Sequence, residues 1–154
     1  MTTNRLKAFL DANGVKYVSI QHSPAYTASE VAASAHVAGR DFAKTVVVRI
    51  DGRPALLVLP ATRRLLLHEL REMFETEEVK LATESEIRDL FPDCEVGAMP
   101  PFGNLYGMEV HVAASLACER EIAFNAGTHT EVIKLKYEDF DRLAKPRIID
   151  LVTT

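Results

Sequence analysis

Lys44 opens the apolar run Phe42-Ala43-Lys44-Thr45-Val46-Val47-Val48, a single charge at the mouth of a strand. An unpaired ammonium in such surroundings is costly, so it either reaches water along its stem or meets an anion. A second stretch, Gly97-Ala98-Met99-Pro100-Pro101-Phe102-Gly103, has glycine at both ends and two prolines between. Proline fixes φ and removes a donor, while glycine lets backbone approach a ligand closely. A cation beside a loop of fixed amides suits the capture of a phosphate or a developing oxyanion. Asn125-Ala126-Gly127-Thr128-His129-Thr130 adds a polar cluster behind an apolar strand. Read alone, His129 fits a turn better than a catalyst. Tyr26, in His22-Ser23-Pro24-Ala25-Tyr26, fits a pocket lining and ordinary packing alike.

Other chemistries find less support. His22, His36, His68 and His111 show no HExxH or paired ligand spacing, which disfavours a zinc site. No GxSxG elbow is present, and Gly103-Asn104-Leu105-Tyr106-Gly107 lacks the spacing and lysine of a Walker loop. Cys94 and Cys118 are the only cysteines and form no CxxC, so two free thiols in a reducing cytosol are expected. A net charge of -4 argues against coating duplex DNA. Recognition of a nucleic-acid end needs only a few local cations, and Arg40, Lys44, Arg63 and Arg64 could supply them. The longest apolar run, Pro54 to Ala61, is too short for a bilayer. Met1-Thr2-Thr3-Asn4-Arg5 is no apolar signal core, so a cytoplasmic protein with no membrane or DNA partner is expected.

The elements that must hold these groups are readable in outline. A chain of 154 residues, 47% hydrophobic and 26% charged, reads as one soluble globular domain. Leu6, Phe9 and Leu10 share one face of a helix from about Asn4 to Asn13, with Gly14 as its stop. Val15 to Gln21 alternates as a half-buried strand, and Thr27-Ala28-Ser29-Glu30 is a capping box for a short helix ending near Gly39. Thr45 to Ile50 and Ala55 to Leu59 flank Asp51-Gly52, a type I′ hairpin pair. Apolarity along both arms implies a central hairpin covered on both faces. A helix over Arg64 to Met73 follows, and Thr83-Glu84-Ser85-Glu86 caps another that ends at Phe91-Pro92. Strands are expected near Glu109 to Ala113, Glu121 to Asn125 and Glu131 to Leu135, then a helical turn over Tyr137 to Leu143. The fold class is mixed α/β with mostly hairpin-joined strands, which disfavours a Rossmann wind.

The order of these segments resembles the YbaK/EbsC family of aminoacyl-tRNA deacylases, relatives of the editing domain of bacterial prolyl-tRNA synthetases. The match rests on His22-Ser23-Pro24, Thr27-Ala28-Ser29-Glu30, Ala43-Lys44-Thr45-Val46-Val47, Gly97 to Gly103 and Phe124-Asn125-Ala126-Gly127. Gly97 to Pro101 fits the family's GxxxP loop, and Lys44 its characteristic lysine. The resemblance implies a single deacylase domain over 1–154, a bent mixed sheet or barrel flanked by helices. It also implies hydrolysis of the ester joining a wrong amino acid to the 3′-terminal adenosine of a tRNA, with no cofactor or metal. The lysine would orient the tRNA end, the loop amides would hold the carbonyl, and a ribose hydroxyl of the substrate would assist the water. Orientation and one oxyanion donor, about 2.7 to 4 kcal/mol, suit an ester that is already activated.

The expected site is therefore Lys44, Gly97 and Pro101 at the reaction, with Tyr26, Thr45, Met99, Pro100, Phe102, Gly103 and His129 around the substrate. Thr45 departs from the asparagine that several relatives carry there. A pocket accepting proline cannot strongly reject alanine, because a methylene is worth only about 1 to 3 kcal/mol. Ala- or Cys-tRNA(Pro) is the expected substrate, with the tRNA 3′ acceptor end and a prolyl-tRNA synthetase as partners. The rival readings are a non-catalytic module that binds the aminoacylated end or a synthetase, and a metal-dependent hydrolase.

Overall fold

A computed structural model describes residues 4–150, so the Met1–Thr3 start lies outside the described residues. The chain forms α1 (Asn4–Ala12), β1 (Tyr17–Gln21), α2 (Ala28–Ser34), β2 (Ala43–Ile50), β3 (Arg53–Pro60), α3 (Leu67–Met73) and β4 (Val79–Leu81). There follow α4 (Glu84–Leu90), β5 (Glu109–Ala113), α5 (Ala114–Ala117), β6 (Glu121–Asn125), β7 (Glu131–Lys136), α6 (Tyr137–Ala144) and β8 (Arg147–Ile149).

Local chemistry explains most of these boundaries. Both capping boxes form: Thr27 and Thr83 accept from the amides of Glu30 and Glu86, whose carboxylates return a bond to the cap backbone. Asp51 (φ 52°) and Gly52 (φ 81°) are both left-handed, as a type I′ turn requires. α2 stops at Ser34 instead of near Gly39, and a 3-10 turn at Gly39–Asp41 fills the gap. His36 takes a positive φ there, which no continuous helix could hold. α3 begins at Leu67 instead of Arg64, leaving 61–66 as a connection.

Two sheets result. One has the order β1-β7-β6 and is antiparallel; the other has the order β4-β2-β3-β5-β8. The β2–β3 hairpin is central, as its apolar arms demand. β3 pairs with β5 and β5 with β8 in parallel, through longer connections than a hairpin. One parallel bridge, Phe42 to Ala123, links the sheets among the described residues. The result is a bent mixed sheet that does not close into a barrel.

Three apolar clusters follow from strand alternation. The largest takes Ala43, Val47, Leu56, Val58, Phe102, Phe124 and Ile133 from the inner faces. α2 covers a second with Phe42, Ala123 and Val132, and α3 covers a third with Val48, Leu57 and Ile149. Lys44 shares the outer face of β2 with Phe42 and Val48, so it emerges between the second and third clusters.

Candidate functional site

Lys44 is half-buried, and among the described residues no carboxylate lies within ion-pair distance of its ammonium. Burial pushes its pKa down, and the like charge of Arg64 pushes the same way. A desolvated cation with a second cation as its charged neighbour is an arrangement that an anion would relieve.

The parallel bridge from Phe42 to Ala123 sets the start of β2, which carries Lys44, beside β6, which ends at Asn125. Asn125 is buried, and its Nδ2 donates to the carbonyl of Gly97 at 3.4 Å, while its Oδ1 has no partner. The 95–99 loop is thereby tied to the end of β6. Further bonds lock it: Gly127 N–H donates to Ala98 O at 2.9 Å, and Glu95 N–H to Gly127 O at 2.8 Å. Glu95 Oε1 accepts from the amide of His129 at 2.9 Å.

His129 lies against this loop. Its Nε2 is 2.9 Å from Val96 O, so that nitrogen carries the proton and donates; Nδ1 is buried without a partner. Gly97 has φ +92°, and a Cβ there would lie 3.3 Å from His129 Cε1. The glycine is thus required twice over, for its backbone angle and for the ring beside it. Tyr26, 69% exposed, packs against His129 with ring centroids 4.7 Å apart and the planes tilted by 47°. The segment before α2 is pinned by Ala25 N–H to His129 O and His22 N–H to Thr130 O. Tyr26, Gly97 and His129 therefore converge, and Lys44 stands on the strand whose start bridges β6.

The loop has few amides to spare. Pro100 and Pro101 have none, and Ala98 N–H is spent on Glu95 O. Gly97 N–H faces the Met99 thioether at 3.1 Å, a weak acceptor that an oxyanion would outcompete. Met99 and the two prolines are buried beneath this turn.

Other expected site residues lie elsewhere. Phe102 is fully buried among Phe9, Phe124 and Phe140, so it anchors the loop to the core and offers no wall to a ligand. At Gly103 a Cβ would meet Met108 O at 2.5 Å; its close approach is to this chain's own backbone. Alternation turns Thr45 to the inner face, away from Lys44, with its buried Oγ1 unpartnered. Arg64 joins Lys44, whereas Arg40 lies 3.9 Å from Asp41 and Arg63 lines a separate hollow with Ser115 and Asp150. Glu95 has no counterpart among the expected residues, and Asn125 enters there only as part of the polar 125–130 segment. An amide at the inner end of an otherwise apolar strand was the available signal for Asn125.

Cys94 is half-buried beside Tyr106 and Asp93, and burial lifts its thiol to about 11, which makes it a poor nucleophile. Cys118 is exposed and free. Among the described residues, no helix is long and apolar enough to cross a membrane.

Comparison with known proteins gives a consistent picture. A family model described as the aminoacyl-tRNA editing domain matches residues 22–143. A curated Escherichia coli protein, the multifunctional Ser/Thr-tRNA deacylase ProXp-y, is 29% identical over 160 aligned positions, covering 100% of this chain and 95% of its own. Among solved structures, a hypothetical protein superposes with a TM-score of 0.83 at 20% identity, covering 96% of this chain and 98% of its own. A candidate trans-editing enzyme for prolyl tRNA synthetase gives 0.80 at 21% identity, covering 97% and 96%. At those identities the two structures speak for the fold.

Proposed function

This chain belongs to the aminoacyl-tRNA editing domain family and acts on aminoacyl-tRNA, and from that premise we propose a mechanism and a substrate. The observation that carries the reading is Lys44: a half-buried ammonium without a carboxylate partner among the described residues, on the strand whose start bridges β6, the strand whose end holds the Gly97 loop.

Lys44, aided by Arg64, holds the phosphate or ribose of the terminal adenosine. Stacking on the exposed Tyr26 steadies the base. Gly97 N–H leaves the Met99 thioether and donates to the ester oxygen as it becomes an oxyanion. A substrate ribose hydroxyl assists the water, so no protein nucleophile is needed. Pro101 and Pro100 keep the loop in place, and Phe102 anchors it in the core. The reaction is ester hydrolysis within one domain spanning 1–154.

Ala- or Cys-tRNA(Pro) is the first substrate proposed, with a prolyl-tRNA synthetase as partner. A second reading, Ser- or Thr-tRNA, draws on the buried unpartnered Oδ1 of Asn125 and Nδ1 of His129. A substrate hydroxyl would satisfy either atom, and a site built to bind a hydroxyl rejects analogues lacking it strongly. The relative's name points the same way for that relative. Single-turnover deacylation of Ala-, Cys-, Ser- and Thr-tRNA decides between them. If none is cleaved above the uncatalysed rate while tRNA still binds, the chain is a binding module and the enzymatic reading fails.

A further inference from the structure

The far end of the β2–β3 hairpin carries a second concavity, six residues and roughly 20 Å of strand from Lys44. Its volume is about 500 Å³, within the range of small-ligand sites. Ile50, Pro54, Ala55 and Phe74 form the apolar part, and Arg53, Glu109, His111 and Arg147 the polar part.

Register explains why these groups meet. β5 lies between β3 and β8, with Ala55 opposite Glu109 and His111 opposite Arg147. Arg53, Glu109 and Arg147 begin their strands on one face, and the register staggers them along a diagonal: Glu109 is level with Ala55, two residues beyond Arg53, and Arg147 is level with His111, two residues beyond Glu109. Glu109 lies between the two arginines, and neither forms an ion pair with any described residue. Beside Arg147, His111 is only 4% exposed, its ring edge against Phe74 at 5.0 Å, and its Nδ1 is buried with no partner. Such an orphaned buried nitrogen requires an explanation. Asp51 at the rim is engaged by Thr76 Oγ1 at 2.6 Å.

Two open guanidiniums and an imidazole N–H match a planar carboxylate, which arginine binds in bidentate fashion. Glu109, set between the cations, would repel a phosphate dianion but attracts an ammonium. The Phe74 and Ile50 floor suits an apolar side chain. We propose that this cavity binds a free α-amino acid, its carboxylate on Arg53, Arg147 and His111 and its ammonium on Glu109. This proposal stands apart from the editing site and does not depend on it.

The test titrates the full chain with L-leucine, following the His111 imidazole among the five histidines by NMR and the heat by calorimetry. Leucine methyl ester, 4-methylpentanoate and inorganic phosphate serve as probes lacking one charge or the other. L-Leucine should shift His111 saturably, and Arg147→Gln and Arg53→Gln should each weaken binding about tenfold, as loss of one charged hydrogen bond does. Both are exposed strand-end residues outside the deacylation machinery, so hydrolysis rates should not change. No saturable shift would overturn the proposal, as would methyl ester or phosphate binding equal to that of leucine. Unaltered affinity in both arginine variants would overturn it too.

Discussion

Replacing Gly97 with alanine tests the editing site most directly, because two separable costs act there. A positive φ of 92° is a conformation that L side chains avoid, at about 1 to 3 kcal/mol. The new methyl would also lie 3.3 Å from His129 Cε1, so the ring must shift away from Val96 O and Tyr26. Gly107 provides the control: its φ is +74°, and a Cβ there would meet nothing within 4 Å. Gly107→Ala therefore carries the backbone strain without the contact. At about 2 to 4 °C per kcal/mol for a chain of this size, each variant should melt several degrees lower. Gly97→Ala should in addition lose about tenfold or more in single-turnover deacylation, while Gly107→Ala stays near the wild-type rate. Equal rates for the two folded variants would refute the claim that substrate closes on the Gly97 backbone.

Two further outcomes follow from charge. Lys44→Met removes a desolvated cation beside Arg64 while keeping the apolar stem, so deacylation should fall about tenfold or more while the melting temperature holds or rises. A clear loss of stability would show the ammonium to be structural. His111 has its pKa lowered, chiefly by burial and also by Arg147, with Glu109 opposing. The unfolded chain thus binds the proton more readily, and stability falls as pH drops from the ordinary histidine range through the folded value. His111→Gln should show a flatter acid limb than wild type in urea titrations across that range; parallel limbs would remove His111 as a contributor.

The legible parts of the fold were those written in adjacent residues. Asp51-Gly52 set the hairpin and two threonines set the starts of α2 and α4, because the partners lie within a few positions. β4 and β8, three residues each, were not read, since such short strands exist only through distant pairing. The parallel β3–β5–β8 order had no local signal for the same reason. Within the site, Lys44 and Gly97 stood out by type and setting. Glu95 and Asn125 act on backbone groups about 30 positions away, which no spacing within one segment displays. A loop aromatic beside two prolines suits a cleft wall and a core anchor equally, so the burial of Phe102 has no local sign. Thr45 follows Lys44 in the sequence and therefore takes the opposite side of the strand.

A single rung between Phe42 and Ala123 is the seam on which the lysine and the glycine turn depend for their spacing. Side chains of both sheets flank that rung: Phe42, Ala123 and Val132 pack in one cluster, and Ala43, Val47, Phe124 and Ile133 in another. The junction is therefore held by shared apolar packing and one bridge in place of a continuous ladder. Amide exchange at those two positions would report how firmly it is closed.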